Sequence, residues 1–283
     1  MNEEVLMFLK TELDWNLDKI KSIQKIGGLS SNNYKVTYDI SDYFVRICSH
    51  TYLHTDRQCE KDILEMLTHS ELTSSCIYYS IDTGNMVSIW IDGHSPSVDE
   101  YLSKDFISLL MKRLKEMHSL KYNKKFDPFS HIRTRLRLSK AANLWLPDYL
   151  DKLLAKLDYL EASLTSNETL GLCHNDLNCS NMILSKNTLF FIDFEYSCMG
   201  DIFWDLANTS WFLDIPQRKY LLEEYFGCYK EEDYQKLLDY LFVVKFYNAT
   251  WSLLKSKDSA TDYDYLNGAK TIFEEIKAFN HYI

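Results

Sequence analysis

Residues 173–205 read CHNDLNCSNMILSKNTLFFIDFEYSCMGDIFWD, and within them Asp176, Asn181 and Asp193 stand in the order and spacing a phosphoryl-transferring site requires. Two short apolar runs, Met182 to Leu184 and Leu189 to Ile192, flank the polar, turn-prone Ser185 to Thr188, which predicts a β-hairpin centred near Asn187. In an antiparallel pair with that centre, position 181 lies opposite position 193, so the Asn181 amide oxygen and the Asp193 carboxylate leave the same end of the hairpin. Such a pair offers a divalent cation two hard oxygens. Mg²⁺ takes few ligands from protein and fills its other positions with phosphate oxygens and water. Asp176, in a polar loop just before Asn181, is placed to orient a substrate hydroxyl and receive its proton.

The order His174, Asp176, Asn181, then Asp193 followed by Phe194, has the grammar of a protein-kinase catalytic loop and its metal-binding Asp. Taken singly, each residue is equally a turn former or a satisfied polar group; the chemical reading rests on their conjunction. His174 reads as a brace for the loop backbone rather than a substrate contact. Cys173, His174 and Cys179 do not make a zinc site, because there is no Cys-x-x-Cys pair and no second His at ligand spacing.

HNDLNCSNMI (174–183), FIDFEYS (191–197) and FWDLAN (203–208) resemble the choline/ethanolamine kinase family, within the aminoglycoside-phosphotransferase-like, protein-kinase-like kinases. GGLSSNNY (27–34), YFVRI (43–47) and DRQCE (56–60) resemble the nucleotide lobe of bacterial choline kinases that supply phosphocholine for cell-surface glycans, and TWSLLKSK (250–257) stands where those have an aromatic substrate wall. The resemblance implies an α+β, two-lobed protein-kinase-like fold, with a small antiparallel β-rich N-terminal lobe and a larger, mostly helical C-terminal lobe. It implies transfer of the γ-phosphoryl of ATP, with Mg²⁺, to the hydroxyl of a small cationic amino alcohol, choline first. Ethanolamine, thiamine and an aminoglycoside are the alternatives by substrate; an aminoglycoside would need several carboxylates near the C-terminus rather than Trp and Tyr. A catalytically silent kinase-like binding module is the alternative of another class.

Length and composition agree. A chain of 283 residues, 46% of them apolar, can bury a sizeable core. Strand-like alternation over 20–26, 34–40, 43–48, 76–80 and 86–91, with one helix near 56–69, gives a β-rich first lobe, residues 1–92. Asp92, Gly93 and Pro96 mark a hinge-like turn, after which helical periodicity dominates residues 93–283. The acidic start MNEEVLMFLKTEL lacks the cationic opening of a signal peptide, and the seven scattered cysteines read as reduced thiols, so the expected location is cytoplasmic. No stretch approaches a membrane span. A net charge of −10 argues against nucleic acid as a partner. Arg133, Arg135, Arg137 and Lys140 read as a solvated helix face, the alternative being a binding patch.

Thr55 with Gln58 reads as a capping box that starts a helix at about Asp56 and sets Glu60 on the same face as Ile63, Leu64 and Leu67. A carboxylate on a buried stripe needs a partner, and Arg46 on the YFVRI strand is the natural one. The resemblance makes Arg46 with Glu60 the clamp for nucleotide phosphates, the alternative being a surface salt bridge. It also makes Ser30, Ser31 and Asn32 a phosphate cover. Quaternary ammonium groups are recognised by aromatic faces and a nearby carboxylate, which makes Tyr196, Trp204, Trp211, Trp251 and Tyr265 candidates, with Glu195 and Asp205 as the charges; the resemblance favours Trp251 and Tyr265. Trp204 and Trp211, seven apart, read as packing on one helix face, and Asn248 stands where many choline kinases carry a second Trp. Asp205 is either an acidic residue early in a helix or, by resemblance, the group that holds the catalytic-loop backbone.

Overall fold

The structure is a computed structural model that describes residues 3–27, 31–48, 53, 55–68, 70–257 and 263–279. Its elements, in chain order, begin with α1 (Glu3–Leu13), β1 (Ile20–Ile26), β2 (Ser31–Tyr38), β3 (Ser41–Cys48), α2 (Arg57–Leu67), β4 (Cys76–Tyr79) and β5 (Met86–Ile89). There follow α3 (Val98–Tyr101), α4 (Lys104–His118), α5 (Pro128–Ala141), α6 (Leu150–Thr165), β6 (Leu170–Cys173), β7 (Met182–Ser185) and β8 (Thr188–Phe191). The last are β9 (Cys198–Asp201), α7 (Phe203–Thr209), α8 (Ile215–Phe226), α9 (Glu231–Lys255) and α10 (Tyr265–Phe279). The chain forms two compact units, Met1–Ser97 with Cys179–Ser197, and Val98–Asn178 with Cys198–Ile283.

The first unit is built on a five-stranded antiparallel sheet in the order β1-β2-β3-β5-β4. Tyr34 and Val36 of β2, Val45 and Ile47 of β3 and Val87 of β5 form a buried cluster with Val5, Phe8 and Leu9 of α1. Side chains alternate across a strand, so Arg46, between Val45 and Ile47, faces the other way and meets α2. That helix is capped by Asp56, whose side chain accepts from Cys59 N, and not by Thr55. Gln58 instead bonds Asp62 at 2.7 Å, so the expected capping box does not form. The stripe survives the shift, with Glu60, Ile63, Leu64 and Leu67 all buried.

The β7–β8 hairpin belongs to this unit. Leu184 exchanges backbone hydrogen bonds with His94 at 2.8 and 3.1 Å, and Phe191 N donates to Leu72 O at 2.8 Å. Gly93 makes the approach possible, since a Cβ there would sit 2.6 Å from Leu184 O. Residues 93–97 are therefore bound into the first unit, and the division falls after Ser97 instead of after residue 92.

The second unit is mostly helical and centres on α9, in which every residue from Tyr240 to Tyr247 is buried. A helix apolar on all sides is a core helix, and α5, α7 and α10 pack against it. On α5, Arg133 is paired with Asp158 and Glu161 of α6, and Arg137 and Lys140 are exposed. Arg135 departs from the expected solvated face. It is buried, its guanidinium lies 4.0 Å from the centre of the Tyr247 ring, and Nη2 donates to the Tyr247 hydroxyl at 2.9 Å. Among the described residues no helix is long and apolar enough to cross a membrane.

Candidate active site

The hairpin pairs Met182 with Phe191 through Ser185 with Thr188, leaving a two-residue turn at Lys186 and Asn187 in which Lys186 has φ 54°. The centre lies half a residue before the expected one, and half a residue at the centre is one residue at the end. Asn181 therefore stands opposite Ile192, whose N–H donates to Asn181 O at 3.0 Å, and not opposite Asp193. A slip of one position sends side chains to the other face. Asp193 does not continue the ladder: its φ of 67° takes the backbone into the left-handed region and re-aims the carboxylate. Its Oδ1 lies 3.6 Å from Arg46 Nη1.

Arg46 is the focus of the first unit. Nη1 donates to Glu60 Oε1 at 2.7 Å and Nε to Gly84 O at 3.2 Å. The side chains of Arg46 and Glu60 are only 8% and 5% exposed, so this is a buried ion pair, not a surface salt bridge. Burial pulls the Arg46 pKa down, but the charges of Glu60 and Asp193 outweigh it and hold the group well above its ordinary value. The guanidinium is a permanent cation. Ser31 and Asn32 open β2, opposite Cys48 and Ile47 of β3, and Ser30 lies outside the described residues. Glu195 and Tyr196, half-buried, follow Asp193 in the same unit.

In the second unit Asp205 is fully buried and both of its oxygens are engaged. Oδ2 accepts from His174 N at 2.7 Å, and Oδ1 from Asn175 N at 2.9 Å. A carboxylate bound by successive backbone N–H groups fixes the chain that carries them. Trp204 adds a third tether, its indole N–H donating to Asn175 O at 3.1 Å. Between these contacts Asn175 is held at φ 67°, a conformation asparagine tolerates. Asp176 follows directly, half-buried in the loop. His174 is itself buried, in keeping with a brace.

His118, at the end of α4, is a member of this network that sequence reasoning missed. Its Nε2 meets Asp205 Oδ2 at 3.1 Å and its Nδ1 meets the Tyr225 hydroxyl at 2.8 Å. His118, Cys173 and Asp205 offer ligand atoms within 4.8 Å of one another. They do not suit a metal, because both carboxylate oxygens are taken by N–H donors, and burial first, then the charge of Asp205, pushes the Cys173 thiol well above its ordinary range.

Trp251 and Tyr265 are brought together, their rings 5.6 Å apart and edge-to-face, with Tyr263 4.8 Å beyond. Tyr265 is buried and its hydroxyl has no hydrogen-bond partner among the described residues. Asn248 turns to its own helix, donating to Val244 O at 3.0 Å. Trp204 is core, but α7 ends at Thr209, so Trp211 is not on its helix; Trp211 instead donates to Glu275 at 3.0 Å.

The family model described as "Phosphotransferase enzyme family" matches residues 22–240, and the chain belongs to that family. A probable choline kinase of Arabidopsis thaliana is 24% identical over 220 residues, 66% of this chain and 64% of that protein. The chain spans 56% to 64% of the length of the first curated relatives it matches. Among solved structures, a choline/ethanolamine kinase family protein from Mesorhizobium loti superposes with a TM-score of 0.84 at 19% identity, covering 98% of this chain and 94% of that one. Choline kinase LicA of Streptococcus pneumoniae gives 0.78 at 22% identity, with 97% and 98% covered. The fold is the protein-kinase-like fold of these proteins.

Proposed function

We propose that the chain is an ATP- and Mg²⁺-dependent kinase that phosphorylates the hydroxyl of a small amino alcohol, choline in the first instance. The observation that carries this reading is the buried Arg46–Glu60 pair with Asp193 at its edge, a permanent cation of the kind that binds phosphate oxygens. Asp193, whose side chain is 36% exposed, offers the hard oxygens that Mg²⁺ takes, and Asp193 with Asn181 would hold the ion. When bound, Mg²⁺ supplies charge neutralisation for the phosphates.

Asp176 accepts the proton of the substrate hydroxyl as its oxygen bonds to the γ-phosphorus and the bond from that phosphorus to the β-phosphate oxygen breaks, releasing ADP. Arg46 steadies the negative charge of the nucleotide phosphates. Asp205 and Trp204 keep the Asp176 loop in one conformation, so the base is not repositioned at each turnover. Trp251 and Tyr265 of the second unit are the aromatic pair for a substrate cation, and Glu195 and Tyr196 of the first unit are further recognition residues, a carboxylate and a ring that suit the same charge.

The test is an ADP-release assay with choline, ethanolamine, thiamine and kanamycin as acceptors, each with and without Mg²⁺. Turnover with choline above the others, and only with Mg²⁺, is expected. Turnover confined to kanamycin would overturn the amino-alcohol assignment, and no turnover with any acceptor in a protein that binds ADP would favour a silent module.

A further inference from the structure

The strand register puts a residue beside the Arg46–Glu60 pair that the functional reading leaves unused. Met86 of β5 pairs with Arg46 of β3 on one side and with Tyr79 of β4 on the other. Directly opposed residues point to the same face of a sheet, so Arg46 and Tyr79 both face α2. The Tyr79 hydroxyl donates to Glu60 Oε2 at 2.6 Å, while Glu60 Oε1 receives Arg46 Nη1 at 2.7 Å. The Arg46 guanidinium also lies over the Tyr79 ring, 5.7 Å from its centre.

A guanidinium has five N–H donors. Here Nε is spent on Gly84 O and Nη1 on Glu60, with Asp193 at its other side; Nη2 has no partner among the described residues, although Arg46 is 6% exposed. A buried arginine with an idle edge is unusual, because carboxylate and guanidinium favour a forked, two-bond pair. In that pairing Glu60 would use both oxygens and take up Nη2. Instead the Tyr79 hydroxyl draws Oε2 to itself and orients the carboxylate so that only Oε1 meets the guanidinium. Burial, then the neighbouring charge of Glu60, pushes the Tyr79 phenol far above its ordinary range, so it remains a donor.

We propose that Tyr79 is a positioning residue of the nucleotide clamp: by holding Glu60 to a single bond with Arg46, it keeps the Nη2 edge open for a phosphate oxygen. This rests on the nucleotide-binding reading above. The turn over 80–85 supports the same geometry, since Gly84, at φ 79°, sets the carbonyl that fixes Nε, and a Cβ there would lie 2.9 Å from Arg57 Nε.

The experiment is Tyr79→Phe, read by calorimetric titration with ADP and Mg²⁺, by the KM values for ATP and for choline, and by the thermal midpoint. The ADP dissociation constant and the KM for ATP should rise about tenfold, as for loss of one charge-assisted hydrogen bond. The KM for choline should stay within about twofold and the thermal midpoint should hold or rise, because Glu60 gains a second bond to Arg46. In an Arg46→Lys background Tyr79→Phe should leave ADP binding unchanged, since an ammonium has no second edge to lose. Unchanged ADP binding in Tyr79→Phe, an equal loss in the Lys background, or failure of Tyr79→Phe to fold would each overturn the proposal. Wild-type protein that binds no ADP would overturn the nucleotide-binding reading and this proposal together, which separates the two failures.

Discussion

Arg46 and Asp205 are both buried charges, one in each unit, and they are satisfied in opposite ways. Asp205 is sealed: it is fully buried, its two oxygens accept two backbone N–H groups, and His118 closes the remaining side. Arg46 is unfinished, with one edge idle and with Asp193 beside it keeping a 36% exposed side chain. A completed set of partners stabilises one conformation and has nothing left to offer a ligand; an incomplete set costs stability and is retained where a ligand completes it. On the proposed function the contrast separates scaffold from site, and it can be broken by substitution.

The largest effect is expected at the unfinished centre. Asp193→Ala should abolish turnover and remove the Mg²⁺-dependent part of ATP binding, with a nearly unchanged melting temperature; Asn181→Ala should leave activity that higher Mg²⁺ partly restores. Mg²⁺ titrations of both variants check this, and an unchanged Mg²⁺ dependence would assign the hairpin to structure. Next comes Asp176→Asn, for which kcat should fall by ~10² or more while nucleotide affinity stays within a few-fold. Near-wild-type turnover would remove Asp176 from the reaction.

At the sealed centre the loss should appear in the fold. Asp205→Asn exchanges a carboxylate for an amide among N–H donors, and chemical denaturation should report a loss of about 3 kcal/mol along with lost activity. A variant of full stability and no activity would make Asp205 part of the chemistry and erase the distinction drawn here. The smallest effect concerns the aromatic pair: Trp251→Ala should raise the KM for choline about 30-fold, for a desolvated cation–π contact of ~2 kcal/mol, and that for ethanolamine less. Trp251→Phe should recover much of the loss. Equal losses for the two amines in steady-state kinetics would place Trp251 in the core.

Much of this was legible from residues near one another in the chain. The strands of the first unit, the α2 stripe and the existence of the hairpin follow from apolar periodicity, which is a local property. The Glu60–Arg46 pairing follows almost as directly, because a carboxylate on a buried stripe must find a cation. The register at the end of the hairpin was less legible. Whether Asn181 meets Ile192 or Asp193 depends on a two-residue turn at Lys186 and Asn187, and runs of apolar residues do not distinguish turns that differ by one residue.

The order Asp176, Asn181, Asp193 and the pairing partner of Glu60 are thus set by residue chemistry and short spacings, which act whatever the rest of the chain does. The burial of Arg135, the contact of His118 with Asp205 and that of Tyr79 with Glu60 are not. Arg135 had the pattern of an exposed helix face, and it is buried because Tyr247 of α9 offers it a ring and a hydroxyl. His118 reaches Asp205 across 87 positions of sequence. Tyr79, in a four-residue strand, meets Glu60 only because β5 lies between β3 and β4. Such contacts depend on which elements become neighbours, and neighbours are chosen by burying the apolar surface of the whole chain at once.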